Sequence, residues 1–259
     1  MANEIVLRPS YWASVSGGKD SLYMLYLLLQ HPERYKLNGV VHFELEIDYP
    51  FIKDVIDYME SECKKHGIMF VRIKPDKSWY EYLDMYGFPS TMARWCNGSY
   101  KMSAKRKMQK FLKTRGEYLV SYIGYCFDEV SRYEKHFSKN VEIYPLVDFE
   151  VNEDSILEWA KTQPIFNDFY KFNRRCGCMY CPLASKMNLA YLLKYYPNNY
   201  KYMMEQVKKR ELQMSAVLGR KFSCFSSNGK YDGEYTDNIV RTKYLPKIEE
   251  MIRKEGEQK

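Results

Sequence analysis

The sequence predicts an α/β fold: a parallel β-sheet with helices on both faces, plus a mostly helical C-terminal part with a Cys-rich loop. Three observations predict it. Short apolar runs alternate with segments of helical period through the first half of the chain. A Gly-rich turn, Ser16-Gly17-Gly18, joins the first run to the first helical segment. Three cysteines, Cys176, Cys178 and Cys181, fall close together in a second half that otherwise reads as helical.

The elements follow in order. Tyr11 to Val15 reads as a short buried strand, and Ser21 to Gln30 is apolar enough for a packed helix. Gly39 to Phe43 is a second strand. In Phe51 to Lys65 the residues Ile52, Val55, Ile56 and Met59 recur at helical spacing, with Gly67 just past the end. Ile68 to Ile73 and Tyr118 to Ile123 are the third and fourth strands. Glu153 to Lys161 predicts a short helix capped by Asn152. Leu189 to Leu218 is helical with a break near Pro197, and Phe222 to Thr236 reads as a Gly/Ser/Asn-rich loop. Asn238 to Arg253 predicts a last helix broken near Pro246. A soft boundary near residue 150 separates an α/β domain, 1–150, from a helical part with the cysteines, 151–259.

Composition excludes several classes. At 259 residues and 46% hydrophobic, the chain is too apolar to be disordered and long enough for a sizeable core. The longest apolar run, Leu22 to Leu29, is about half of what a membrane span needs. The opening Met-Ala-Asn-Glu-Ile-Val lacks the basic-then-apolar layout of a leader. The expectation is a cytoplasmic protein with no membrane partner, whose seven cysteines are thiols or metal ligands rather than disulfides. The net charge of +7 points to an anionic partner, a nucleotide or nucleic acid. The 25 Tyr, 13 Phe and 4 Trp can stack on bases, but such residues mostly pack cores.

The string Ser16-Gly17-Gly18-Lys19-Asp20-Ser21 sits between a strand and a helix. Glycines let the backbone bend tightly and approach a ligand without side-chain clash. The loop N–H groups and the helix N-terminus then face a bound anion. Ser16 and Ser21 add hydroxyls, and Lys19 adds a point charge. The plainer alternative is a Gly turn into a helix with Ser and Asp as caps; the full string after a strand favours the anion.

That string resembles the pyrophosphate-binding loop of the N-type ATP pyrophosphatases, the PP-loop superfamily of Rossmann-like, HUP-type folds. It differs from the Walker loop, which needs Gly-x-x-x-x-Gly-Lys-Ser/Thr. Further segments are similar to the phosphoadenosine phosphosulfate (PAPS) reductase-like branch. They are His42 to Pro50, Gly87-Phe88-Pro89, Arg94-Trp95-Cys96 with Lys101, Gly124 to Arg132, Pro145-Leu146 with Trp159, and Gly177-Cys178-Met179-Tyr180-Cys181-Pro182. The likeness runs in order from about residue 10 to 205. Five positions depart from the pattern. Leu45-Glu46 replaces Thr-Gly, Glu44 replaces Asp, Cys126 replaces Arg, and Val130 replaces Ser. They leave the fold expectation intact and put the substrate in question.

The resemblance implies cleavage of ATP between the α and β phosphates with Mg²⁺, adenylation of a substrate and release of pyrophosphate. It implies nucleotide binding by Ser16 to Ser21, His42 and Arg132, catalysis by Lys19, Asp20, Asp128 and Glu129, and substrate binding by Arg94, Lys101 and Arg175. Asp128 and Glu129 are candidates for Mg²⁺ or adenosine; the alternative is two solvated acids in a loop.

Cys178-x-x-Cys181 has the spacing at which two thiolates bite one metal, with Gly177 relaxing the backbone and Pro182 ending the turn. The family pattern adds Cys96. Three such thiolates suit a 4Fe–4S cluster with one open iron, and zinc is the alternative. Cys176 is either a fourth ligand or a free thiol that carries sulfur. Arg94, Arg174 and Arg175 are expected to lower the thiol pKa values. Cys63 and Cys224 read as buried structural thiols.

The first function expected is an ATP-dependent sulfurtransferase acting on tRNA or DNA, with a sulfur-donor protein as a further partner. The alternatives are a sulfonucleotide (PAPS/APS) reductase and an ATP sulfurylase-type adenylyltransferase. The first normally carries a C-terminal Glu-Cys-Gly, whereas the last cysteine here is Cys224. The second needs no cysteine cluster. A nucleic-acid-binding module with a relic loop is a further reading, against which Lys19 and Asp20 stand. Tyr191 to Lys209, with Lys194, Lys201, Lys208 and Lys209, reads either as a nucleic-acid face or as an amphipathic helix with extended lysines.

Overall fold

The computed structural model of the chain describes residues 7–134 and 141–257. The opening segment on which the leader reading rests, residues 1–6, lies outside the described residues. The described elements run β1 (Arg8–Val15), α1 (Lys19–Gln30), β2 (Gly39–Phe43), α2 (Phe51–Lys65), β3 (Phe70–Ile73), α3 (Trp79–Tyr86), α4 (Met102–Thr114), β4 (Glu117–Tyr122), α5 (Val130–Tyr133), β5 (Glu142–Ile143), α6 (Pro145–Asp148), α7 (Glu153–Lys161), α8 (Phe169–Phe172), α9 (Lys186–Tyr195), α10 (Pro197–Leu218), α11 (Gly233–Ile239) and α12 (Leu245–Glu257). A π-helical turn, Cys96–Lys101, precedes α4, and a second one, Val240–Tyr244, precedes α12.

Two compact units form, each from discontinuous stretches. Of the described residues, one comprises those within 7–45, 49–76, 101–134 and 141–167; the other comprises those within 46–48, 77–100 and 168–257. The segments 46–48 and 77–100 group with the C-terminal stretch in the second unit.

The first unit is built on a five-stranded sheet of order β3-β2-β1-β4-β5, parallel throughout. The α/β architecture implied by the resemblance is therefore the one observed. Strand order reverses at β1, whose neighbours are β2 on one side and β4 on the other. In open α/β sheets the crevice beyond the carboxyl ends of such strands is where ligands bind.

Every residue of β2 is buried, as expected of a parallel strand covered on both faces. On one face, Trp12, Val41 and Phe43 pack against Ala104, Met108 and Leu112 of α4, with Val71, Ile73 and Leu119 at the margin. On the other, α1 packs on β1, α2 and α7. The backbone of β2 passes close under Trp12: a Cβ built on Gly39 would lie 2.4 Å from the indole ring. Gly39→Ala should therefore cost about 1–3 kcal/mol through overpacking. Chemical denaturation will show it as a lowered midpoint, with part of the loss recovered when Trp12→Phe is added.

Helix α3 of the second unit has a complete capping box, in which Ser78 accepts from the Glu81 N–H and Glu81 accepts from the Ser78 N–H. Chain order breaks between α9 and α10 at Tyr196-Pro197, where the sequence places a break. Tyr191 and Tyr200 are buried, Lys194 pairs with Glu249 at 3.0 Å, and Lys201, Lys208 and Lys209 are exposed.

Three sequence expectations are corrected here. Asn152 occupies the N-cap position of α7 but makes no side-chain cap bond; the Glu153 N–H there is taken by Asp128 Oδ1 at 3.3 Å. The loop from Phe222 ends earlier than Thr236, because Asp232 caps α11 through the Tyr235 N–H and Glu211 accepts from the N–H of Gly233. Pro246 does not break the last helix. It follows directly on the π-helical turn, whose wider winding carries the helix unbroken from α11 into α12 past the position that lacks an N–H. No helix among the described residues is long and apolar enough to cross a membrane.

Candidate phosphate loop and cysteine site

The loop from Ser16 to Ser21 leaves the end of β1 and enters α1, as the sequence implies. Gly17 has φ 76°, a left-handed conformation that side chains disfavour, and a Cβ there would meet Ile52 of α2 at 2.7 Å. The loop is closed by its own serines. Ser21 Oγ donates to the Gly18 carbonyl at 2.9 Å and accepts from the Ser16 N–H at 3.2 Å. Gly18 is the N-cap of α1 and makes no side-chain cap bond, which suits a loop that offers N–H groups to an anion.

Lys19 does not stand as an isolated point charge. It is 3% exposed, and Nζ donates to Asp20 Oδ1 at 2.6 Å and to Glu153 Oε1 at 3.1 Å. Glu153, the first residue of α7 and itself buried, is the site residue that sequence reasoning missed. Its only signal is an acid in the first turn of a helix, which is common. Burial pushes the Asp20 carboxyl above the usual range, against the pull of Lys19, and the charges of Glu153 and Glu129 add to the rise.

The turn after β4 reaches the same place. A Cβ on Gly124 would lie 3.1 Å from the Asp20 carbonyl, so this turn rests on the first turn of α1. The pair Asp128 and Glu129 divides its roles. Asp128 is exposed and accepts from the Glu153 N–H; Glu129 is buried and takes Arg132 Nη1 at 2.5 Å and the Cys126 N–H at 3.1 Å. Arg132 also lies over the Tyr125 ring at 4.4 Å. Cys126, where the family pattern has Arg, is fully buried, and burial raises its thiol pKa.

His42 is buried in β2, with Nδ1 3.0 Å from the Val15 carbonyl, the last residue before the loop. Burial depresses its pKa, so the neutral ring donates from Nδ1 and holds the loop's root. Lys101 bears on it electrostatically. The sign follows from linkage: a base with a depressed folded pKa contributes stability above about pH 6.5 and loses it as pH falls through the folded value. Wild-type stability should thus fall more steeply between about pH 6.5 and 5 than that of His42→Gln, and equal slopes in parallel denaturation series would refute this role for His42.

The cysteines belong to the second unit. Its segment 46–48 pins their loop, since the Met179 N–H donates to the Ile47 carbonyl at 2.8 Å. Glu46, a departure from the family pattern, accepts from the Trp79 N–H at 2.5 Å and so caps α3. Aromatic rings wall this region. Trp79 packs on Trp95, Tyr100 and Tyr180, and Tyr82 stacks on Trp95 with centroids 5.7 Å apart. Trp95 Nε1 donates to the Gly87 carbonyl at 2.9 Å, which ties the Gly-Phe-Pro segment to the Arg-Trp-Cys segment.

Cys96 and Cys181 come within electrostatic reach of one another, with Arg94 bearing on both. Burial, and then the charge of Cys181, pushes the Cys96 thiol up to about 11. Burial also raises Cys181, although the N–H groups of Leu183 and Ala184 point to its sulfur. The expectation that arginines lower these thiol pKa values is therefore corrected, because desolvation outweighs Arg94. Cys178 bears on Tyr100. Cys176 faces elsewhere: its Sγ donates to the Gly177 carbonyl at 3.6 Å, and its charge bears on Tyr191 and Tyr196. Arg175 is exposed, and its carbonyl accepts from Asn188. Cys63 and Cys224 are fully buried.

Among the described residues, no three His, Cys, Asp or Glu side chains are drawn together closely enough to hold one ion. The donor chemistry still fits a thiophilic group. Soft thiols stand beside a guanidinium, and two N–H groups already address one sulfur.

No protein-family model matches the chain. An uncharacterized protein of Methanocaldococcus jannaschii is 27% identical over 211 residues, 76% of this chain and 47% of that protein. The chain thus spans about half the length of the curated relative it matches. Among solved structures, the U34-tRNA thiolase NcsA from Methanococcus maripaludis with its 4Fe–4S cluster aligns with TM-score 0.40 and 18% identity, covering 78% of this chain and 72% of that one. A PAPS reductase from Candida auris in a phosphate complex aligns with TM-score 0.36 and 13% identity, covering 59% and 72%.

Proposed function

We propose that the chain is a PP-loop enzyme of the PAPS reductase-like branch that cleaves ATP to AMP and pyrophosphate and uses the activated acceptor for sulfur transfer. The observation that carries the reading is the loop Ser16 to Ser21. It has a left-handed Gly17, an N-cap without a side-chain bond and a buried lysine at its centre, and it follows the strand at which sheet order reverses. Loop N–H groups and the α1 N-terminus cradle the β and γ phosphates. The phosphates compete with Asp20 and Glu153 for Lys19, and the ammonium then stabilises charge developing on the leaving pyrophosphate. Asp128, the exposed member of its pair, is the ligand proposed for Mg²⁺, which needs one or two carboxylates beside the phosphate oxygens. Glu129 instead fixes Arg132 against Tyr125, where the guanidinium addresses the nucleotide. His42 holds the root of the loop.

Cys96, Cys178 and Cys181 are the thiols proposed to hold a 4Fe–4S cluster, or zinc. When bound, such a group would present sulfur or a Lewis-acid position to the acceptor. Arg94 keeps thiolate charge compensated, Lys101 and Arg175 are proposed to contact the acceptor, and Cys176 remains a thiol able to carry sulfur. The acceptor proposed is a nucleic acid, tRNA or DNA, with a separate protein as sulfur donor in the cytoplasm. A sulfonucleotide reductase is the second reading, favoured by the same phosphate cradle.

Anaerobic purification followed by iron, sulfide and zinc counting and a pyrophosphate-release assay tests the reading. Iron with sulfide and ATP-dependent pyrophosphate are expected. Zinc alone with no turnover of ATP, but reduction of a sulfonucleotide, would overturn it in favour of the second reading.

A further inference from the structure

The indole N–H of Trp79 is a donor with no acceptor among the described residues, on a residue that is 0% exposed. Two other tryptophans are satisfied: Trp12 Nε1 donates to Ser10 Oγ, and Trp95 Nε1 donates to the Gly87 carbonyl. An unpaired buried donor carries its whole desolvation penalty, and native proteins rarely keep one without a use. The ring is not free to turn toward solvent. Trp79 opens α3, where its backbone N–H is taken by Glu46 Oε2, and its ring packs on Trp95, Tyr100 and Tyr180 with centroids 4.7, 5.6 and 6.1 Å away. The donor is therefore fixed in place before any acceptor arrives.

The three rings around Trp79 are the ones beside the candidate thiols. Trp95 immediately precedes Cys96, Tyr180 immediately precedes Cys181, and the charge of Cys178 bears on Tyr100. All of these residues belong to the second unit. Ligation to a metal turns a thiol into a thiolate, and hydrogen bonds to a charged acceptor are roughly twice as strong as neutral ones. Metal-bound ligands are commonly held by such outer donors, which tune the affinity of the site. We propose that Trp79 Nε1 donates to a thiolate sulfur of the metal-bound set Cys96, Cys178 and Cys181 and thereby strengthens the hold on the metal. The inference rests on those cysteines being the ligands, and it holds for zinc and for a 4Fe–4S cluster alike, because the acceptor is a protein sulfur in both.

The probe is zinc, which binds thiolates and is diamagnetic. Protein carrying isotope-labelled tryptophan is purified anaerobically without metal and titrated with zinc, and the indole N–H resonances are followed by NMR. The resonance lost in Trp79→Phe identifies Trp79. On zinc binding that proton should move downfield and exchange with solvent at least about tenfold more slowly. Trp79→Phe, which keeps a ring and removes the N–H, should weaken zinc binding about 10–100-fold. If Trp79→Phe does not fold, the resonance is assigned from its contacts with Tyr100 and Tyr180, and the wild-type titration carries the test. Zinc bound through the cysteines with that resonance unmoved, or bound equally by wild type and Trp79→Phe, overturns the bond to sulfur alone. A resonance displaced upfield with and without zinc, as when an N–H lies over a ring face, overturns it too. A protein that takes up neither zinc nor iron overturns the ligand assignment itself, and this inference with it.

Discussion

Replacing Lys19 by Met is expected to lower pyrophosphate release from ATP by about 10²–10³-fold, the loss typical when one preorganised group facing developing charge is removed. The same change should also destabilise the protein. Lys19 and its partner Glu153 are almost fully buried, so removing the cation leaves two carboxylates facing one another with their desolvation uncompensated. Breaking a buried pair in this way costs about 3–5 kcal/mol. The two effects separate in a double variant. Lys19→Met/Glu153→Gln removes one orphaned charge and should recover much of the stability while turnover stays lost. Undiminished release by either folded variant removes the loop from the mechanism. Recovery of turnover along with stability would mean that Lys19 acts only by holding α7.

The second large effect concerns metal. In anaerobically purified protein, Cys96→Ser and Cys181→Ser should each reduce metal affinity by at least about 10²-fold, beyond what loss of an outer contact produces. Cys176→Ser should leave metal content near wild type, because that sulfur donates to the Gly177 carbonyl, whereas Cys96 and Cys181 bear on one another. Retention of full iron or zinc in both Cys96→Ser and Cys181→Ser would refute the ligand assignment. Loss of metal in Cys176→Ser would bring that residue back into the ligand set.

The strands and the helices α2 and α7 were legible because their patterns are local: β-branched runs bounded by glycine, or apolar residues at helical spacing. Helix α4 was not, since five Lys and Arg hide the stripe formed by Ala104, Met108 and Leu112. The continuation through Pro246 was missed because a π-helical turn upstream is not a pattern that propensity detects. At the candidate site, the turn from β1 into α1 was legible in six consecutive residues, Ser16 to Ser21. Glu153 was not, as its role arises from tertiary contact with Lys19, 134 residues away in sequence. The thiols could be read by type and spacing, but their electrostatics could not. Arg94 suggested lowered pKa values, whereas burial of the thiols decides the direction.

The central claim is that the loop Ser16 to Ser21 directs cleavage of ATP between its α and β phosphates. Product analysis tests it most directly. Anaerobically purified protein is incubated with ATP, Mg²⁺, sulfide and unfractionated small RNA, and the nucleotide and phosphate products are separated. AMP and pyrophosphate in equal amounts, lost in Lys19→Met, are the predicted result. ADP with orthophosphate, or AMP and pyrophosphate formed equally by Lys19→Met, would contradict the account.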